Sequence, residues 1–96
     1  MALIKITPED LDAKASDLRK KKDEHVQIYA TITQLVHDVV SVWEGEAQRA
    51  FQESFDSKGP TFKKFEEDME AFAQLMNTAA TRMRDTEAEL KSQMRA

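Results

Sequence analysis

Two histidines are the first residues to weigh for chemistry. His25 and His37 stand twelve residues apart, which on one helix turns them about 120° from each other, so they cannot share a ligand or a proton. The chain has no Glu-x-x-His pair for a di-iron bundle, no His-x-x-x-His for zinc and no glycine-rich phosphate loop. It has no cysteine, which removes thiol nucleophiles, thiolate zinc sites and disulfides. The carboxylates alternate with lysines and arginines, as on any solvated helix. Catalysis and a bound cofactor or metal are therefore set aside, and what remains is chemistry of contact. Trp43-Glu44-Gly45 places a large amphipathic ring at a bend, where it can close a core or anchor a partner. Met83, Glu87, Leu90 and Met94 follow one another by four, three and four residues, so one helical face carries a carboxylate within an apolar stripe. Arg19-Lys20-Lys21-Lys22 is the basic cluster, but consecutive helical residues point in different directions, and it reads as a solvated turn.

The elements that hold these residues must be helices. A chain of 96 residues with two glycines, two prolines and 33% charged residues has little material for turns, which argues against a many-stranded sheet. The net charge of −4 disfavours nucleic acid as a partner. No apolar run is long enough to span a bilayer, and Met1–Asp10 lacks the apolar core of a signal peptide.

Thr7-Pro8-Glu9-Asp10 announces the first helix: a capping threonine, a proline where its missing N–H costs nothing, and two carboxylates at the positive end of the dipole. Steps of four and three then give Leu11, Ala15, Leu18, Lys22, His25, Tyr29, Ile32, Val36, Val39 and Trp43, the seam of a packed helix pair. His25 is a polar step in that seam or a pH-sensitive one. Gly45 suits the end of the helix. A second seam resumes in a new phase: Phe51, Phe55, Lys58, Phe62, Phe65, Met69, Phe72, Met76, Ala79, Met83, Thr86 and Leu90. Gly59-Pro60 interrupts it without shifting that spacing, which predicts a kink or local irregularity.

The expected architecture is all-α, one antiparallel two-helix hairpin over residues 1–96: helix 1 at about 8–42, a turn at 43–45, and helix 2 at about 46–92 with an irregularity near 59–60. Tyr29 should face Phe62, and the end of helix 2, about 87–96, should overrun helix 1 as a flexible tail. A hairpin has no interior of its own. Ile28, Leu35 and Val42 widen the first stripe, which predicts a second copy and a four-helix bundle through a homodimer.

A central Trp-x-Gly between two heptad-patterned helices in a cysteine-free chain of this length resembles the WXG-100 (ESAT-6-like) family. Ile4-Lys5-Ile6-Thr7-Pro8-Glu9, Phe51, Phe55 and Pro60-x-x-x-x-Phe65 resemble its Gram-positive, EsxA-like branch. The resemblance covers essentially the whole chain. It implies a secreted, non-enzymatic hairpin dimer, made with itself or a paralogue, exported without a Sec signal peptide by a type VII (ESX or Ess) system driven by a membrane-bound FtsK/SpoIIIE-type ATPase. It also implies a bipartite export signal, joining the Trp43-Glu44-Gly45 turn to a C-terminal helical motif across the dimer. The actinobacterial Tyr-x-x-x-Asp/Glu form of that motif is missing, since the only tyrosine is Tyr29. Met83, Glu87, Leu90 and Met94 match the Gram-positive form. Two other roles follow from the same family: an escort for a larger toxin, and a membrane-active virulence effector, which the mixed charge of the polar faces disfavours.

Overall fold

The computed structural model describes residues 6–95 as two antiparallel helices, α1 (Pro8–Val40) and α2 (Glu46–Arg95), in a rod of 78 × 24 × 17 Å. Ile4 and Lys5, and Ala96 at the end of the expected tail, lie outside the described residues. Thr7 caps α1 as its sequence requires. Its hydroxyl accepts from the Asp10 N–H at 3.0 Å, and the Asp10 carboxylate accepts in return from the Thr7 N–H at 3.2 Å, which satisfies two backbone donors reciprocally.

The turn is longer than the sequence suggests. α1 stops at Val40 rather than 42, where the Ser41 N–H donates to the His37 carbonyl at 3.0 Å, and residues 41–45 form the connection. Gly45 carries the one positive φ among the described residues, +119°. Its carbonyl accepts from the Arg49 N–H at 3.2 Å, so it opens α2 rather than closing α1. No atom lies within 4 Å of where a Cβ would stand there, so the backbone angle alone demands glycine. At the other end, α2 continues to Arg95, beyond the expected 92, and it passes through Gly59-Pro60 without a break in its helical assignment.

The core is a narrow seam of small residues. Pro8, Ala15, Met69, Ala73 and Ala80 are buried, and Leu11, Leu18, Lys22, His25, Tyr29 and Val36 of α1 are half-buried beside them. Tyr29 meets Phe62 with ring centroids 4.6 Å apart, as expected, and stacks on Phe55 at 6.1 Å. On α2 the seam is Gln52, Phe55, Gly59, Phe62, Glu66, Met69, Ala73, Met76, Ala80 and Met83, all buried or half-buried. The spacing of four and three is the one the sequence shows, but alternate positions move by one residue. Phe51, Lys58, Phe65, Phe72 and Ala79 leave the seam for its exposed edge, because helices that approach closely over alanine and glycine have no room there for a phenyl ring. The two seams also differ in phase. From Trp43 to Gln48 the rotation is about 140° along an ideal helix, so a straight chain could not turn both seams toward one neighbour.

Candidate functional site

The two sides of the seam have opposite chemistry. On one side Asp12 and Arg19 of α1, seven residues apart, meet Glu70, Asn77 and Arg84 of α2 at the same spacing. The Arg19 guanidinium donates to both Glu70 oxygens, at 3.1–3.3 Å, and to the Asn77 carbonyl oxygen at 2.7 Å. The Asn77 amide donates to Asp12 at 2.7 Å, and Arg84 pairs with Asp12 at 2.8 Å and Glu9 at 3.7 Å. Lys22 joins from the seam, donating to Glu70 at 2.8 Å, and the His25 Nδ1 lies 3.1 Å from Glu66. Hydrogen bonds from Arg19 and Lys22 pull the Glu70 carboxyl down to about 2. Asn77 and then Arg84 lower that of Asp12. The basic run is thus largely used inside the hairpin: Arg19 and Lys22 hold Glu70, and Lys21 pairs with Glu24 at 3.3 Å.

On the other side lies an unpartnered apolar flank. Two antiparallel helices that pair Asp12 and Arg19 with Glu70 and Asn77 on one side must present the residues before the alternate seam positions on the opposite side. Those are Ile28 and Leu35 of α1 and Phe51, Phe65 and Phe72 of α2, with Val42 following in the connection, and all are exposed, Phe72 at 58% and Val42 at 85%. Leu75 extends the flank beside Phe72. Ile28 and Leu35 are thus exposed on α1, whereas Val42, expected at the end of helix 1, is exposed in the connection. Phe51, Phe65, Phe72 and Leu75 are the members that sequence periodicity misses, since apolar spacing assigns the three phenylalanines to the hairpin core and leaves the leucine out. A run of such side chains open to water is uncommon for a stable monomer.

Both ends of the rod carry the other candidates. Trp43 is 37% exposed and packs on Phe51 with ring centroids 5.7 Å apart. It is both a cover for the turn and part of the flank that begins at Val42. Glu44 is exposed beside it. At the far end Arg84 is the last residue of α2 with an ion pair to α1 among the described residues. Met83 is half-buried on the seam, while Glu87, Leu90 and Met94 continue the same track past the start of α1 and are exposed, Met94 at 86%. No group of histidines and carboxylates that could hold a metal ion occurs among the described residues, and none of their helices is long and apolar enough to cross a membrane.

Residues 3–88 match the family of proteins of 100 residues with WXG, WXG100. The chain belongs to the WXG100 family. Such proteins are secreted helical hairpins, and the chain is not an enzyme. It is 29% identical over 92 residues to the type VII secretion system extracellular protein A of Staphylococcus aureus (strain USA300), covering 96% of this chain and 95% of that one. Among solved structures, EsxA of Geobacillus thermodenitrificans superposes with a TM-score of 0.80 at 26% identity, over 95% of this chain and all of that one. The secreted protein EsxB of Bacillus anthracis superposes with a TM-score of 0.79 at 23% identity, over 91% and 99% of the two chains, a likeness of fold alone. Trp43-Glu44-Gly45, in the connection between the helices, is the chain's Trp-x-Gly.

Proposed function

We propose that this WXG100 protein is a secreted substrate of a type VII secretion system, exported from the cytoplasm as a hairpin homodimer without a Sec signal peptide. The apolar flank of Ile28, Leu35, Val42, Phe65, Phe72 and Leu75 takes the second copy and completes a four-helix bundle. A paralogue with the same flank is the alternative occupant. The Trp43-Glu44-Gly45 turn of one copy and the Met83, Glu87, Leu90 and Met94 face of the other form the two parts of the export signal, read by an FtsK/SpoIIIE-type ATPase. One observation carries this reading: α2 runs past the start of α1, and Glu87, Leu90 and Met94, an apolar face interrupted by a single carboxylate, are exposed there. The relationship to the staphylococcal extracellular protein supports the same pathway.

The test is made in the natural host. The tagged protein should appear in the culture supernatant and remain in the cells when the ATPase gene is deleted, and light scattering of the purified protein should give twice the chain mass. Export that continues without the ATPase refutes the pathway. A chain that stays monomeric alone at micromolar concentration, but pairs with a co-expressed paralogue, replaces the homodimer with the heterodimer.

A further inference from the structure

Where the tail leaves the hairpin, and in which direction, is set by one side chain outside the export motif. Arg84 directly follows Met83, the first motif residue, and beyond it α2 makes no ion pair or hydrogen bond to α1 among the described residues. Its guanidinium reaches across to the first turns of α1, 2.8 Å from Asp12 and 3.7 Å from Glu9. Asp12 is itself held by the Asn77 amide, and Asn77 by Arg19, which grips Glu70. Arg84 is therefore the terminal rung of a continuous side-chain ladder between the helices. The Thr7–Asp10 capping box fixes the start of α1 against which it pulls. Isolated surface ion pairs contribute little, but a pair that closes a network at the point where a helix loses tertiary cover decides where fraying begins.

We propose that Arg84, clamped to Asp12 and Glu9, is a positioning residue that fixes the origin and direction of the exposed tail, and that export depends on this aim as well as on the motif side chains. The inference rests on the reading of the tail as an export signal. Without the clamp, α2 loosens back toward Asn77 and presents Glu87, Leu90 and Met94 over many orientations, so that a groove meeting them must first order them.

A chain with no cysteine allows one label. In a Ser92→Cys protein carrying a nitroxide, Arg84→Ala and Arg84→Glu should shorten the label's rotational correlation time at least twofold, and each should cut export at least fivefold while light scattering still gives the dimer. Arg84→Lys, which keeps a charge near Asp12, should hold the label and retain at least half of the export. Unchanged label mobility in Arg84→Ala overturns the clamp, and a loosened tail with normal export overturns its positioning role. Arg84→Lys that holds the label yet fails as badly as Arg84→Ala means that the machine reads the arginine directly, which also overturns it. A chain ending at residue 86 that is exported normally removes the reading of the tail instead, and the label measurement still stands.

Discussion

Tyr29 and Gly59 meet across the seam so closely that a Cβ on Gly59 would stand 3.3 Å from the Tyr29 hydroxyl oxygen. The close approach explains a glycine inside a 50-residue helix, where it would otherwise cost about 1 kcal/mol relative to alanine. Gly59→Ala gains helix propensity and loses some of it to this contact, so its stability should stay within about 1 kcal/mol of the parent. Gly59→Val should lose about 1–3 kcal/mol by overpacking against Tyr29. Urea melts of both variants check this, and an unchanged midpoint for the valine variant would refute the tight contact.

The Glu70 ladder predicts acid sensitivity. Its carboxyl is lowered from 4.5 to about 2 by Arg19 and then Lys22. A group whose folded pKa is depressed stabilises fully above the unfolded value, and that stabilisation is lost as pH falls through the folded one. The hairpin should therefore weaken progressively between about pH 4.5 and 2. Glu70→Gln should lower stability at pH 7 and flatten that part of the profile. Thermal melts across the range decide it; parallel profiles for the two proteins would show that Glu70 has no such linkage.

The flank predicts how the copies associate. Leu35→Asp or Phe72→Asp should leave the hairpin helical but put an unpaired charge into the dimer contact, weakening it by ~3–5 kcal/mol. Thr33→Asp, on the side where Asp12 and Arg19 make the ladder, should leave the dimer constant unchanged. Analytical ultracentrifugation at micromolar concentration measures all three. Equal dimerisation of Phe72→Asp and the parent would place the contact elsewhere.

The turn separates stability from recognition. Because Trp43 is 37% exposed and packs on Phe51, Trp43→Ala should cost less than about 2 kcal/mol, below the 3–5 kcal/mol of a buried tryptophan, while export is lost. Gly45→Ala forces a side chain to φ +119°, and it should cost about 1–3 kcal/mol through strain alone. Thermal melts and supernatant blots of the two variants test the contrast. A Trp43→Ala protein destabilised as much as a core mutant would make the ring scaffold.

The sequence exposes the α1 seam from Leu11 to Tyr29, the Thr7 cap, the hairpin register at Tyr29–Phe62 and the overrun of α2, but Ile32, Val39 and Trp43, which the same spacing puts in the seam, are exposed. The α2 seam is harder to see because two overlapping stripes share its residues. Apolarity favours the row of Phe51, Phe65 and Phe72, whereas the hairpin chooses the row of Gly59, Ala73 and Ala80, with Glu66 opposite His25. Electrostatic pairing holds the missing signal. Asp12, Arg19, Lys22 and His25 complement Glu66, Glu70, Asn77 and Arg84 in antiparallel order, and that order places the phenylalanines on the opposite side. The length of the turn was not legible either, since one glycine suits the end of a helix and the start of the next equally well.

The tail gives the most discriminating prediction. α2 keeps its helix to Arg95, yet beyond Arg84 it has no ion pair or hydrogen bond to α1 among the described residues, and Leu90 and Met94 are open to solvent. A helix of about three turns without tertiary cover is marginal in water, so amide exchange over residues 87–94 should be much faster than over 66–80. Removing residues 87–96 should shift the melting temperature by less than about 2 °C, because residues 87–94 are all exposed, while export falls to background. Leu90→Asp should have the same effect through one side chain. Lys91→Ala, which changes a residue off the Met83–Met94 track, should be exported normally. A truncated chain that unfolds would make the tail part of the scaffold. One that is stable and still secreted would leave the exposed face of Leu90 and Met94 without a role in export.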